Sequence, residues 1–327
     1  MPRLKMVGYT VISRLDVGTR RVGYLARDAK GKDIVLIQPD IKKIRLQHLA
    51  IDGRAGGPLG GEKEVQKIIN LEKEKFKSDF EKMKGLTHPR VAEVHNVVFD
   101  SDNDNYVAIL EYAPGENIFA ASRGLTWIQK TALIAQVLDG LQFIHNNGFL
   151  HLNVKSRYVH VELTKLQAKL TDFGYAFEKK AKYDGRLRGS AHSVAPEIVL
   201  GNNDKVGVKS DIYSAGILWY YILTGKFPFP DRDRARTNQA LLPDIVKKEG
   251  RPTEVFYSDP TIPEECNQIL LKMIDSEPGK RYKTAEQVKS LLIETWPEIS
   301  EDNLDRTLST MRVLSAEPSI EEADDEL

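Results

Sequence analysis

Apolar and β-branched residues alternate with polar ones in three short runs near the start of the chain, YTVISRLDV, VGYLARD and DIVLIQ, separated by charged turns such as Asp28-Ala29-Lys30-Gly31. Period-two alternation between turns predicts an antiparallel meander of strands. The stretch DGRAGGPLGG at 52–61 is too rich in glycine for a regular element and interrupts a basic, otherwise helix-compatible stretch from Ile41 to Lys77, which predicts a flexible insertion within a basic, glycine-rich segment of about 41–75. Phe76, Phe80 and Met83 then recur at helical spacing until Gly85 and Pro89 stop the run, so one amphipathic helix follows the strands. Two more strands are predicted in VAEVHNVVFD and YVAILEY.

After Trp127 the period changes. Ile134, Val137, Leu138, Leu141 and Ile144 mark a long helix closed by His145-Asn146-Asn147-Gly148. Two short β-like pieces, FLHLNV and AKLTDF, precede an apolar helix at Ile212–Thr224 and further helices near 264–275 and 284–295. A strand-rich half therefore gives way to a helical one, an α+β chain. The segment 299–327 is acidic and ends EEADDEL, which predicts a solvated, disordered tail.

Composition narrows the function. The chain has 327 residues, 41% of them hydrophobic, enough for one large two-lobed core. Lys+Arg and Asp+Glu both number 47, so no global field draws the chain to nucleic acid or to a membrane, and a charged partner must be met by a local patch. The single cysteine, Cys266, excludes an internal disulfide and suits a reducing compartment. The first residues lack an apolar run long enough for a secretory signal, and Ile212–Thr224 is too short to span a bilayer, so a cytoplasmic protein is expected.

Five landmarks fall in order along the chain: a helix ending LTHP, the segment LEY, HLNVK, TDFG and VAPE; SDIYSAGILWYYILTGKFPF and PGKRY follow. Over nearly all of residues 9–296 the sequence resembles the eukaryotic-type Ser/Thr protein kinases. The resemblance implies a bilobal fold: an extension at 1–8, a β-rich N-lobe with one main helix at 9–112, a mainly helical C-lobe at 113–298 and the tail. It also implies an ATP cleft whose parts can be checked one by one.

Several parts depart from the family pattern. HLNVKSRY matches H-R-D-L-x-x-x-N, which puts Asn153 at the base position, where an amide cannot accept a proton as a carboxylate does. Lys155 is kept. Tyr158 stands at the metal-binding asparagine position, and its phenol is a poor magnesium ligand that fills space. DIVLIQ matches V-A-I-K with Gln38 at the lysine, and its expected helix partner falls on Asp79, one methylene shorter than glutamate. The phosphate-covering loop keeps Gly18 but carries Asp16 and Arg21 in place of the flanking glycines. Leu152 replaces the arginine that would read a loop phosphate.

Other parts are intact. Asp172 of TDFG is the magnesium ligand the resemblance retains, and Glu111 and Ala113 of the hinge offer backbone groups to an adenine edge. Glu197, Asp211 and Arg281 match the family's shape-holding positions. The pattern implies weak, adenine-driven ATP binding with magnesium held through Asp172 alone, in a pseudokinase that works as a signalling scaffold for a protein partner. The rival reading is an active atypical kinase in which Arg20 or Arg21 supplies the missing strand cation.

Overall fold

The alternating runs close into one antiparallel sheet. The protein was analysed as a computed structural model, which describes residues 6–15, 20–52, 62–171, 177–179, 193–229, 254–255 and 259–300. Strands β1 (Tyr9–Leu15), β2 (Arg21–Asp28), β3 (Asp33–Pro39), β4 (Val94–Asp100) and β5 (Asn105–Glu111) lie in the order β1-β2-β3-β5-β4. The register pairs Gly23 with Ile37 and Val35 with Leu110, which fixes what each face carries. Ala26, Ile34, Leu36, Val107 and Ile109 form a small core on one face. Ile37, Ala108 and Leu110 belong to the main core of the molecule on the other.

Helix α1 (Ile41–Asp52) and helix α2 (Glu62–Met83) occupy much of the segment expected to be a flexible insertion. Here the structure corrects the sequence reading. The buried stripe of α2 runs through Val65, Ile69, Phe76, Phe80 and Met83, so the helix begins four turns before the residues that announced it. Glu62 and Glu64 complement the partial positive charge of its first turn. Ile44 of α1 packs on Val65 and Ile69, and Arg45 pairs with Glu62. Residues 53–61, where the glycines cluster, lie outside the described residues.

The second half is helical around a buried centre. After the short helix α3 (Ile118–Ala121), helix α4 (Trp127–Asn146) starts in a capping box between Thr126 and Gln129 and ends beside Gly148 at φ 84°. Helix α5 (Pro196–Val199) leads to α6 (Val208–Thr224), which is apolar on nearly every side and buried throughout its middle. Helices α7 (Glu264–Met273) and α8 (Ala285–Thr295) pack on α6 and α4 respectively. Gly216 of α6 lets α7 approach: a Cβ there would lie 2.6 Å from Ile274 Cγ2. No helix among the described residues is long and apolar enough to cross a membrane. Cys266 is buried on α7, where desolvation pushes its thiol up to about 12 and leaves it inert.

Candidate functional site

The strand facing α2 carries no cation. Because side chains alternate along a strand, Ile37 shares the α2 side of the sheet with Phe76 and Phe80, whereas Gln38 shares the opposite side with Leu36. The alignment that put Gln38 at the lysine position is therefore displaced by one residue from the pleat. Gln38 Oε1 is buried without a hydrogen-bond partner among the described residues. Asp79, its expected partner, instead pairs with Lys75 one turn away at 3.2 Å.

Two arginines at the start of the second strand, Arg20 just before it and Arg21 its first residue, reach the helix instead. Arg20 Nη1 lies 3.3 Å from Glu72 Oε1, and the Arg21 guanidinium sits 5.5 and 5.4 Å from the ring centres of Phe76 and Phe80. Arg20 is 41% exposed, so the pair contributes at most about 1 kcal/mol, but it ties the start of β2 to α2. Sequence reasoning missed Glu72. Its signal was the continued helical stripe, which puts it two turns before Asp79 on the same flank.

At the hinge, Leu110 and Ala113 are buried, and Glu111 N donates to Glu93 O at 2.9 Å. The Glu111 side chain accepts from Lys169 and, at 3.1 Å, from Glu93 N, so its carboxylate fastens the hinge to strand β6 (Gln167–Leu170). Just beyond, Gly115 has φ 98° and passes so close to Val161 O that a Cβ would lie 2.0 Å away; only glycine fits.

The loop carrying Asn153 is suspended from Asp211. That fully buried carboxylate accepts from His151 N at 2.8 Å, Leu152 N at 2.7 Å and His145 Nε2 at 2.8 Å. Burial would raise its pKa; the hydrogen bond and charge of His145, with His151, overcome this and hold it below the ordinary carboxylate value. Leu152 has φ 54°, a left-handed conformation unfavourable to a leucine, held here by the bond from its amide.

The side chains this loop presents are mostly turned inward. Asn153 is buried, with its backbone N–H donating to His151 Nδ1 at 3.2 Å. Tyr158, at the end of a 3-10 turn (Ser156–Tyr158), is 3% exposed, and the Lys155 ammonium lies 4.7 Å from its ring centre. Tyr158 O accepts from Thr171 N at 2.8 Å, so the residue before Asp172 is tied to the same turn. Asp172, Gly18 and Asp16 lie outside the described residues. The space beside Lys155 is thus taken by an aromatic ring.

Glu197 and Arg281 form a bidentate pair, 2.8 and 2.9 Å, with Ser210 Oγ donating to Glu197 at 2.6 Å. Arg281 also donates to the carbonyls of Asp275 and Lys209, and its guanidinium lies 4.7 Å from the Tyr213 ring centre. Every carboxylate oxygen of this buried pair is satisfied, the condition under which such a pair holds a fold together.

Comparisons with known proteins agree with this architecture. The granulovirus kinase PK-1 of Cydia pomonella superposes with a TM-score of 0.63 at 17% identity, covering 86% of this chain and 92% of that one. The Saccharomyces cerevisiae serine/threonine-protein kinase GIN4 is 31% identical over 69% of this chain and 19% of its own length. The Arabidopsis thaliana CBL-interacting serine/threonine-protein kinase 17 is 32% identical over 64% of this chain and 47% of its own. The chain thus spans half or less of the length of these two relatives. The protein kinase domain profile matches residues 61–293, most of the chain, and the chain belongs to the protein kinase domain family.

Proposed function

We propose that this chain is a kinase-fold scaffold that works by binding a protein partner in the cytoplasm and does not transfer phosphate. The observation that carries the reading is Tyr158: its buried ring, with Lys155 on its face, occupies the position where the family pattern calls for a metal-binding asparagine. Asn153 at the base position and uncharged Ile37 facing α2 add to it. Kinase domains generally bind ATP and magnesium, and the hinge here suits an adenine edge. The residues on the phosphate side fit the charged end of the nucleotide poorly, and no catalytic step is built on them.

One observation favours the rival, an active atypical kinase. The Arg20–Glu72 pair links sheet to helix much as a strand lysine and helix glutamate would. Radiolabelled ATP with magnesium, offered to the chain with a generic protein substrate, separates the two. The scaffold reading expects no incorporation above that of an Asp172→Ala control. Transfer that Asp172→Ala abolishes would overturn it, and loss of that transfer in Arg20→Ala would establish the rival.

A further inference from the structure

The five-stranded sheet has two edges, and they are built differently. On β1 the pairing with β2 slips between Val11 and Ser13, and exposed Arg14 follows, a bulge and a charge that discourage a further strand. On β4 the slip lies at the start, between Val94 and Asn96, where the residues just past α2 cover the edge. Gly85 N donates to Val94 O at 3.4 Å, and Lys84 Nζ to Asn96 Oδ1 at 2.8 Å. From Val97 to Asp100 the pairing with β5 is regular, and no strand among the described residues lies on the outer side. Neither a proline nor a lysine interrupts this run.

This bare end carries an aromatic side chain held in place. Phe99 is 54% exposed and pairs across the strands with Tyr106, ring centres 5.2 Å apart at 63°. Tyr106 is fixed in turn by α2: its hydroxyl donates to Glu74 at 3.1 Å, and the Lys77 ammonium lies 5.3 Å from its ring centre. The turn beyond is tied down as well. Asp100 accepts from Asp102 N and Asn103 Nδ2 at 3.1 and 2.7 Å, and Asp104 accepts from the buried Lys73 ammonium at 2.7 Å. Asp102 is exposed, and its carboxylate has no partner among the described residues. At this end of the hairpin Glu74 and the three aspartates stand against Lys73 and Lys77, four negative charges to two positive.

An exposed ring near an unpaired carboxylate suits a guanidinium, which stacks on an aromatic face while its N–H fork meets the carboxylate. The bare backbone beside them suits an extended segment that adds a strand. A simple cation would leave Phe99 uncovered, and an acidic segment would be repelled. We infer that the Val97–Asp102 end of β4 docks an extended, arginine-bearing segment of the protein partner, its backbone paired with the outer edge and its arginine set on Phe99 and Asp102. The inference rests on the scaffold reading, since it names the surface that the partner would meet. Its test needs no nucleotide and no transfer, so its failure leaves the phosphorylation experiment untouched.

Short fluorescein-labelled, threonine-rich peptides with arginine, lysine or glutamate at the centre are titrated with the whole chain, and binding is read as anisotropy. A fourth peptide carries the arginine with proline beside it. The arginine peptide is expected to bind saturably and about ten-fold more tightly than the glutamate peptide, with lysine between them. Phe99→Thr, which keeps a strand-forming residue, and Asp102→Asn should each cut that preference to about three-fold or less. Both side chains are exposed, so the melting temperature should stay within about 2 °C of wild type. Ile12→Thr, an exposed apolar residue on the β1 edge, should leave the preference intact. No saturable binding of the arginine peptide, a preference that survives both substitutions, or a proline peptide that binds as tightly as its parent would each overturn the inference. So would self-association of the chain that Phe99→Thr abolishes, which would make a second copy the occupant of this edge.

Discussion

Replacing Asp211 by asparagine changes one oxygen to an amide nitrogen at the point from which the loop hangs. The carboxylate accepts three bonds: His151 N and His145 at Oδ2, Leu152 N at Oδ1. An asparagine amide can turn its remaining oxygen toward His151 and His145, but its NH₂ then faces Leu152 N–H, donor against donor. The site is fully buried, so one stranded amide costs about 1–3 kcal/mol, and the surviving bonds lose their charge assistance, about 1 kcal/mol each. The damage falls on the residue least able to bear it: Leu152 sits at φ 54° and loses the bond that holds it there.

The summed cost is about 3–5 kcal/mol, which for a chain of this size lowers the melting temperature by roughly 4–7 °C. Differential scanning calorimetry measures it, and amide hydrogen exchange should show residues 151–153 losing protection before the rest of the helical half. The sign with pH is also fixed. Asp211 has a depressed folded-state pKa, so its stabilisation is complete above the ordinary carboxylate value and is lost as pH falls below it through the folded pKa. The gap between wild type and Asp211→Asn should therefore be full at neutral pH and shrink only in acid. A melting temperature within about 1 °C of wild type at neutral pH would refute the reasoning.

Nucleotide should stabilise the chain little: at ~1 mM, a dissociation constant near 1 mM gives about 0.4 kcal/mol and under 1 °C, against about 2.7 kcal/mol for a ten-micromolar site. Adenosine and ATP are expected to give similar thermal shifts with or without magnesium, and a much larger shift with magnesium-ATP, removed by Asp172→Ala, would contradict this. Gly216→Ala drives a Cβ to within 2.6 Å of Ile274 Cγ2 and 2.9 Å of Met273 Cβ, and should cost about 1–3 kcal/mol in calorimetry, while Gly279→Ala, with nothing within 4 Å, serves as the neutral control. Burial lowers the His160 pKa below its ordinary 6.5, partly opposed by the Gly115 backbone, so stability should fall as pH drops below 6.5 and the unfolded chain takes the proton first. His160→Gln should flatten that part of the melting curve measured between neutral pH and about pH 5, and an unchanged slope would count against it.

What could be read in the sequence was whatever a period or a motif repeats often enough to fix. Helix α4 announced itself through Ile134 to Ile144, α6 through its apolar run, and the loop through HLNVK. The errors fell where one residue decides a face. Counting V-A-I-K onto DIVLIQ chose Gln38, but a strand's period of two makes a shift of one residue equal to a change of side, and the paired register sends Ile37 toward α2. The early turns of α2 were hidden for a different reason: the glycines before Glu62 spread their signal over residues that are in fact helical. Lys169 and Glu72 carry no local mark at all. Each matters through a partner 58 or 52 residues away, a relation that no window along the chain contains.

The contacts that hold shape and the groups that would do chemistry differ in what they demand of a residue. Asp211, Glu197 and Arg281 each make several bonds at once, and losing any one leaves buried polar groups stranded, so the fold itself requires them. Asn153 and Tyr158, at the positions the family pattern assigns to catalytic groups, are both buried: one under the loop, the other as a ring beneath two cations. A rigid loop of this kind still does something physical. By burying Tyr158 it gathers Lys155 and Arg157 at one ring, so the anchoring at Asp211 also positions charge. On that account Asp211→Asn should raise hydrogen exchange at residues 155–158 in step with the loss of protection at residues 151–153. Wild-type exchange rates at residues 155–158 while residues 151–153 exchange freely would separate the Tyr158 cluster from the Asp211 anchor and remove this link.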